Sequence, residues 1–317
     1  MSTKLSLATC RRALVALALV LASACAGPAR VGRAEPHAGA TADDQLAEAV
    51  TQALARGSND AAAALERARK LPAPAQPRPE HLAYWDATVH AYRGDFRGAV
   101  EVMRAHIAKV GPTARAAFDF HDAMIALRTA DGDLLGALVE CEEMVHAGLA
   151  GTWTSSDDED RVTMVRLKEH WHRAYLLRMI AQQRTGAERD ALVAYAEAAR
   201  TAYRELATPL EGLGDSIAVL DGYFAFCDGA RDAMRTAAQR VDTANDDDVE
   251  DLYLVQLALD GAGERDAAAA LRAKIVAAAP TTVLTPVFLR WMRDDDAAEA
   301  QAHRFSPKYP TAPSSGR

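Results

Sequence analysis

Two histidines and a carboxylate stand together at Glu169-His170-Trp171-His172, and these are residue types that bind zinc. A helical zinc pair needs i, i+4 spacing so that both rings leave the same face. His170 and His172 are two apart, so on a helix they point about 200 degrees from each other. Glu169 with His172 is an i, i+3 pair that could give two ligands, and no third is identifiable. The histidines therefore read as surface or groove residues, with no metal site expected. The acidic run Asp157-Asp158-Glu159-Asp160 lacks the alternating oxygen ligands, central glycine and terminal glutamate of a calcium loop. It reads instead as a helix N-terminus, where negative charge is favoured by the macrodipole. Asp246 to Asp248 and Asp294 to Asp296 read the same way. There is no G-x-S-x-G elbow, no phosphate-cradling loop and no C-x-x-C pair. No catalytic constellation is expected, and no cofactor.

The elements that would position such residues are clearest from Asp248 to Pro280. Leu252, Val255, Gln256 and Leu259 fall at i, i+3, i+4, i+7, the spacing of one helix face. Gly261 and Gly263 are expected to stop that helix. A second one carries Ala268, Leu271, Ile275 and Ala278 inward, and Pro280 ends it. A glycine followed five residues later by an alanine marks this helical hairpin, and the mark recurs. It appears at Gly57 and Ala62, Gly94 and Ala99, Gly132 and Ala137, and Gly186 and Ala191, and more loosely at Gly229 with Ala233. Glycine tolerates the left-handed turn after the first helix, and a small residue lets two backbones approach.

This pattern resembles the tetratricopeptide repeat family, whose unit is a helix-turn-helix of about 34 residues. RGDFRGAVEVM, from Arg93 to Met103, and DGDLLGALVEC, from Asp131 to Cys141, are similar to the family's turn and the start of its second helix. The turn glycines lie 34 to 54 residues apart, so the register departs from the family's. The resemblance implies an all-α, right-handed superhelical stack of about six helical hairpins, a TPR-like α-solenoid. It also implies a concave groove lined by first-helix residues outside the packing positions. In this sequence those positions fall near His90, Asp119, Asp122, Gln183, Glu250, Tyr253 and Asp260, a set acidic enough to favour a cationic or polar partner.

Residues 1–24 stand apart from the fold. Lys4, Arg11 and Arg12 form a basic start, and the apolar run from Ala13 to Ala24 is too short for a permanent membrane span. They read as a signal peptide. Leu21-Ala22-Ser23-Ala24-Cys25 resembles the lipobox of bacterial lipoproteins, which implies that Cys25 is acylated. Secretory cleavage without lipid remains the alternative, since Ala22-Ser23-Ala24 also satisfies the small-x-small rule. Residues 25–42 read as a lipidated tether, Ala, Gly and Pro rich. Neither Ala26 nor Gly27 is an aspartate, which resembles lipoproteins sorted to the outer membrane. Losing residues 1–24 removes three cations and no acid, taking the formal charge from −8 to −11. That argues against a nucleic-acid partner.

Half of the 317 residues are hydrophobic, enough for one continuous core through a repeat stack. The helical repeat domain is expected over 43–304, with Val287, Phe288, Trp291 and Met292 capping its end and a disordered tail at 305–317. Leu46, Ala49, Val50 and Ala53 should face inward in the first hairpin. Leu82, Trp85, Val89 and Tyr92 do so in the second, and Met164, Leu167, Trp171 and Ala174 along the segment from Arg161 to Arg184. Cys141 and Cys227 read as buried structural thiols, with a disulfide left open.

The expected function is a non-catalytic protein-interaction scaffold of the bacterial cell envelope, lipid-anchored at the periplasmic face of the outer membrane, with an envelope protein as partner. A periplasmic solute-binding lipoprotein is the alternative. A metal-dependent enzyme using His170 or His172 is a third class.

Overall fold

Glycine and aspartate punctuation divides this chain into helices. In a computed structural model, Asp95 and Asp133 accept hydrogen bonds from the backbone N–H of Gly98 and Gly136 at 2.9 Å, satisfying orphan donors of the following helix. Gly94 and Gly132 just before them take φ of +77° and +88°, a left-handed turn that costs glycine nothing. A Cβ at Gly98 or Gly136 would run into the capping aspartate. The recurring Gly-Asp-x-x-Gly-Ala string is thus one local device, in which a turn, a cap and room for the cap follow each other.

The structure describes residues 41–73, 75–151, 158–246, 248–278, 287–289 and 292. The lipobox, the tether up to residue 40, Pro280, the Asp294 to Asp296 run, Trp291 and the C-terminal tail lie outside them. Twelve helices have described bounds: α1 Ala42–Leu54, α2 Ser58–Arg69, α3 Pro79–Tyr92, α4 Phe96–Val110, α5 Arg115–Asp131 and α6 Leu134–Ala150, then α7 Asp158–Ala181, α8 Gly186–Ala207, α9 Gly214–Asp228, α10 Arg231–Ala238, α11 Val249–Ala262 and α12 Arg265–Ala278. Among the described residues there is no strand, and the chain is all-α. No described helix is long and apolar enough to cross a membrane.

Helices pack chiefly on their neighbours in sequence. The main contacts join consecutive helices or next-but-one pairs such as α1 with α3, α3 with α5, α7 with α9 and α9 with α11. One large core runs from Ala87 to Met292, and a smaller one joins α1 and α2 to Trp85 and Val89 of α3, with Tyr84 touching both. Val287, Phe288 and Met292 are buried against the large core, and the carbonyl of Met292 accepts from Arg272 at 3.0 Å.

Several expectations on packing change in detail. Gly261 does not end α11. It is helical and lies under Met234 and Phe226, and the turn is made by Gly263 at φ +87° alone. The small residue five after the turn glycine is buried at Ala99, Ala137 and Ala268, half-buried at Ala62, and exposed at Ala191 and Ala233. In α8 and α10 the buried places are taken by Ala196 and Met234, because the register of those helices departs from the repeat. Ala49 is exposed, whereas Leu46, Val50 and Ala53 are buried. Cys141 is buried, Cys227 half-buried, and both are free thiols; burial pushes Cys141 up to about 12 and Cys227 to about 11.

Candidate functional site

Asp122 stands on α5 and meets two side chains of α7. His172 Nε2 lies 2.7 Å from one of its carboxylate oxygens, and the Lys168 ammonium pairs with the other. The i, i+4 spacing of Lys168 and His172 puts both on the same face of α7. Burial alone would raise the Asp122 carboxyl. The Lys168 charge and the His172 hydrogen bond outweigh it and hold the group well below the usual carboxylate range. Beside it, Asp119 is raised because burial exceeds the effect of Arg115, which reaches it at 3.0 Å.

Asp122, Lys168 and His172 form one wall of a cavity of about 180 Å³. Its other walls come from Trp171 and Tyr175 on α7, Tyr203 on α8, Ser216 on α9, Glu250 and Asp251 on α11, and Phe288. Four rings and the side chains of Ile125, Leu167 and Leu213 make the surface largely apolar, and the carboxylates stand out from it. Trp171 packs edge-on to Tyr203 with centroids 5.5 Å apart. Tyr175 is 3 % exposed and its hydroxyl has no hydrogen-bond partner among the described residues.

The position of Glu250 and Asp251 follows from the start of α11. Asp248 caps that helix, accepting from the N–H of Glu250 at 2.8 Å and of Asp251 at 3.3 Å. The acidic run ending at Asp248 is therefore a helix N-terminus, as read from the sequence, but its cap also sets two further carboxylates at the mouth of the cavity. Both keep some surface open to it, while the protein around them removes most of their hydration. Burial, with repulsion from Asp248 and Asp122, pushes Glu250 up to about 8 against the weaker pull of Lys168 and a hydrogen bond from Trp171. Asp251 is raised well above its ordinary value, by burial first and then by Asp248, Asp246 and Glu250. Chemically, the arrangement offers carboxylates held short of compensating cations, next to aromatic faces.

Of the residues expected to line a groove, Asp122 and Glu250 are brought together here, with Asp119 next to them. Tyr253 lies behind the wall, fully buried, its ring 5.5 Å from that of Phe288. His90 lies elsewhere, at the end of α3 with Nδ1 2.7 Å from Asp95. Gln183, just past α7, and Asp260, near the end of α11, do not line the cavity either. Trp171 lines the cavity although its spacing with Leu167 and Ala174 is that of a buried stripe. Asp251, Tyr203 and Ser216 carried no signal of their own.

The three residues first weighed for zinc diverge. Glu169 pairs with Arg166 at 2.5 Å and Arg173 at 2.8 Å, His172 faces Asp122, and His170 lines a shallower groove with Val139, Leu177 and Tyr195. Among the described residues no three His, Cys, Asp or Glu side chains converge as metal ligands would. A second buried carboxylate, Glu140 on α6, ties α4, α5 and α6 together. It receives His121 at 2.7 Å and Arg104 and Arg128 at 2.6 Å, which outweigh burial and lower it to about 2.

No protein-family model, no curated protein and no solved structure matches this chain.

Proposed function

We propose that the chain is a lipid-anchored, non-catalytic interaction module of the bacterial cell envelope, a TPR-like α-solenoid that takes part of a partner protein into its concave groove. One observation carries this reading. The first helices of four successive hairpins, α5, α7, α9 and α11, supply most of the lining of the same cavity; of the second helices only α8 reaches it, through Tyr203, and Phe288 comes from beyond α12. That is the arrangement expected of an inner surface in a stack of hairpins, where first helices share the concave side. The envelope location, the Cys25 anchor and the TPR-like superhelix rest on the sequence pattern, and the acidic lining suits a partner segment carrying positive charge.

A photo-reactive amino acid at Ala126, on the cavity wall, tests it in native cells. One envelope protein should be crosslinked reproducibly from Ala126 and not from Arg189, on the exposed side of α8. Capture should weaken in the Cys25→Ala form. Equal labelling from both positions would remove the groove from the reading.

A solute-binding lipoprotein is the second reading, favoured by the size of the cavity, which is that of a small molecule. A solute at 100 times its dissociation constant would stabilise the fold by about 2.7 kcal/mol, visible as a rise in melting temperature.

A further inference from the structure

The cavity has an unbalanced charge inventory. Asp122, Asp248, Glu250 and Asp251 line it, against Lys168 and His172. Both of those basic side chains are spent on Asp122, and Asp248 is spent on capping α11. Glu250 accepts a hydrogen bond from Trp171 and feels the charge of Lys168, which burial and the neighbouring acids outweigh, and the largest influences on the Asp251 carboxyl all raise it. A buried polar group normally finds a partner, yet the hydroxyl of Tyr175, which lines the same cavity as Glu250 and lies within reach of its charge, has none among the described residues. Burying uncompensated acids is costly, and Trp171, Tyr203 and Phe288 line the same cavity, where aromatic rings can attract a cation.

We propose that this cavity receives a protonated amine or guanidinium on a short aliphatic stem, with the charge between Glu250 and Asp251, the Tyr175 hydroxyl beside it, and the stem against Trp171 and Tyr203. The inference rests on the cavity being the binding face, as argued above, and names the chemistry it takes. An anion would add negative charge beside Glu250 and Asp251, and a neutral ligand would leave both acids without a counter-charge. The space suits such a group, since a cavity of about 150 Å³ holds a benzene. The cation belongs either to a Lys or Arg side chain of a partner or to a free small amine.

Binding should release a proton. Glu250 faces Asp248 and Asp251 on its own helix, Asp122 on α5, and Lys168, Trp171 and Tyr175 on α7. At neutral pH this setting, which raises it to about 8, favours its protonated form. An arriving cation favours the carboxylate and displaces that proton.

The test is calorimetric titration of the purified full-length chain near neutral pH with agmatine and cadaverine as free cations, and with acetyl-Ala-Lys-Ala-amide and acetyl-Ala-Arg-Ala-amide as peptide-borne ones. 1-Pentanol and glutarate serve as neutral and anionic controls. Saturable binding is expected for at least one cation class, with heats that vary with buffer ionisation enthalpy as proton release requires. Affinity should fall at least about tenfold in Asp251→Asn, and Glu250→Gln should also abolish the buffer dependence. The class that binds more tightly identifies the source. The proposal is overturned if no cation saturates up to ~10 mM, if 1-pentanol binds as well, or if both variants bind unchanged. A partner crosslinked from Ala126 together with no cation binding would leave the groove reading standing and remove this one.

Discussion

Asp122 and His172 are 50 residues apart in the chain and 2.7 Å apart in the fold. The hydrogen bond joins the first helices of two successive hairpins across the space that becomes the cavity. Lys168 closes the same carboxylate from one turn earlier in α7. Asp122 therefore ties α5 to α7 while engaging both basic side chains of the cavity, so that Lys168 and Trp171 only partly offset the burial of Glu250. The ion pair and the acidity of the site are two consequences of one placement.

Asp122→Asn should be strongly destabilising, because it leaves Lys168, 13 % exposed, without its counter-ion. Breaking a largely buried pair from one side costs about 3 kcal/mol or more. Urea unfolding at pH 7 measures this, with a lower midpoint at unchanged slope expected.

Glu140 controls the acid limb. Its folded value near 2 lies below the model-compound 4.5, so its stabilisation is complete above about pH 4.5 and is lost as pH falls toward 2. Asp122, also lowered, adds to the same limb. Glu140→Gln should lower stability at pH 7 by about 3 kcal/mol and flatten the decline between pH 5 and 3. Thermal melts of both proteins across that range check it.

Glu250 acts in the opposite direction. Its value is raised from 4.5 to about 8, so the folded state holds a proton that the unfolded state gives up, and stability falls as pH rises from about 4.5 to 8. Glu250→Gln should be nearly neutral at pH 5 and more stable than wild type at pH 9, by about 2 kcal/mol after allowing for its partial exposure to the cavity. Unfolding curves at the two pH values decide the sign.

Two helical glycines should respond differently to alanine. At Gly148 a Cβ would overlap a methyl of Val165 and crowd Phe118, so Gly148→Ala should cost about 1–3 kcal/mol by overpacking where α6 crosses α5 and α7. At Gly222 the added Cβ would sit 3.4 Å from those of Ala237 and Ala258, an ordinary contact. Gly222→Ala should gain up to about 1 kcal/mol from helix propensity. Denaturant midpoints of the two variants give the comparison.

Local rules carried by the sequence account for most of the helices and their turns, Gly261 within α11 being an exception. The i, i+3, i+4 stripes, the left-handed glycines at 94, 132, 229 and 263 and the caps at Asp95, Asp133 and Asp248 depend on residues within a turn or two of each other. Such interactions are legible in one dimension. The resemblance to the tetratricopeptide pattern, matched in register, puts Asp122 and Glu250 among the expected groove positions. The local rules and the resemblance could not say that Tyr203 from a second helix and Phe288 from beyond α12 would close over the same space, nor that His172 would be spent on Asp122 instead of a metal. Those outcomes depend on how far each hairpin is rotated against the next, which uneven repeat spacing leaves to the packing of α7 on α6, α8 and α9. Charge compensation is a property of that three-dimensional neighbourhood. Only the tertiary structure decided which carboxylates would be paired and which would be left facing the cavity.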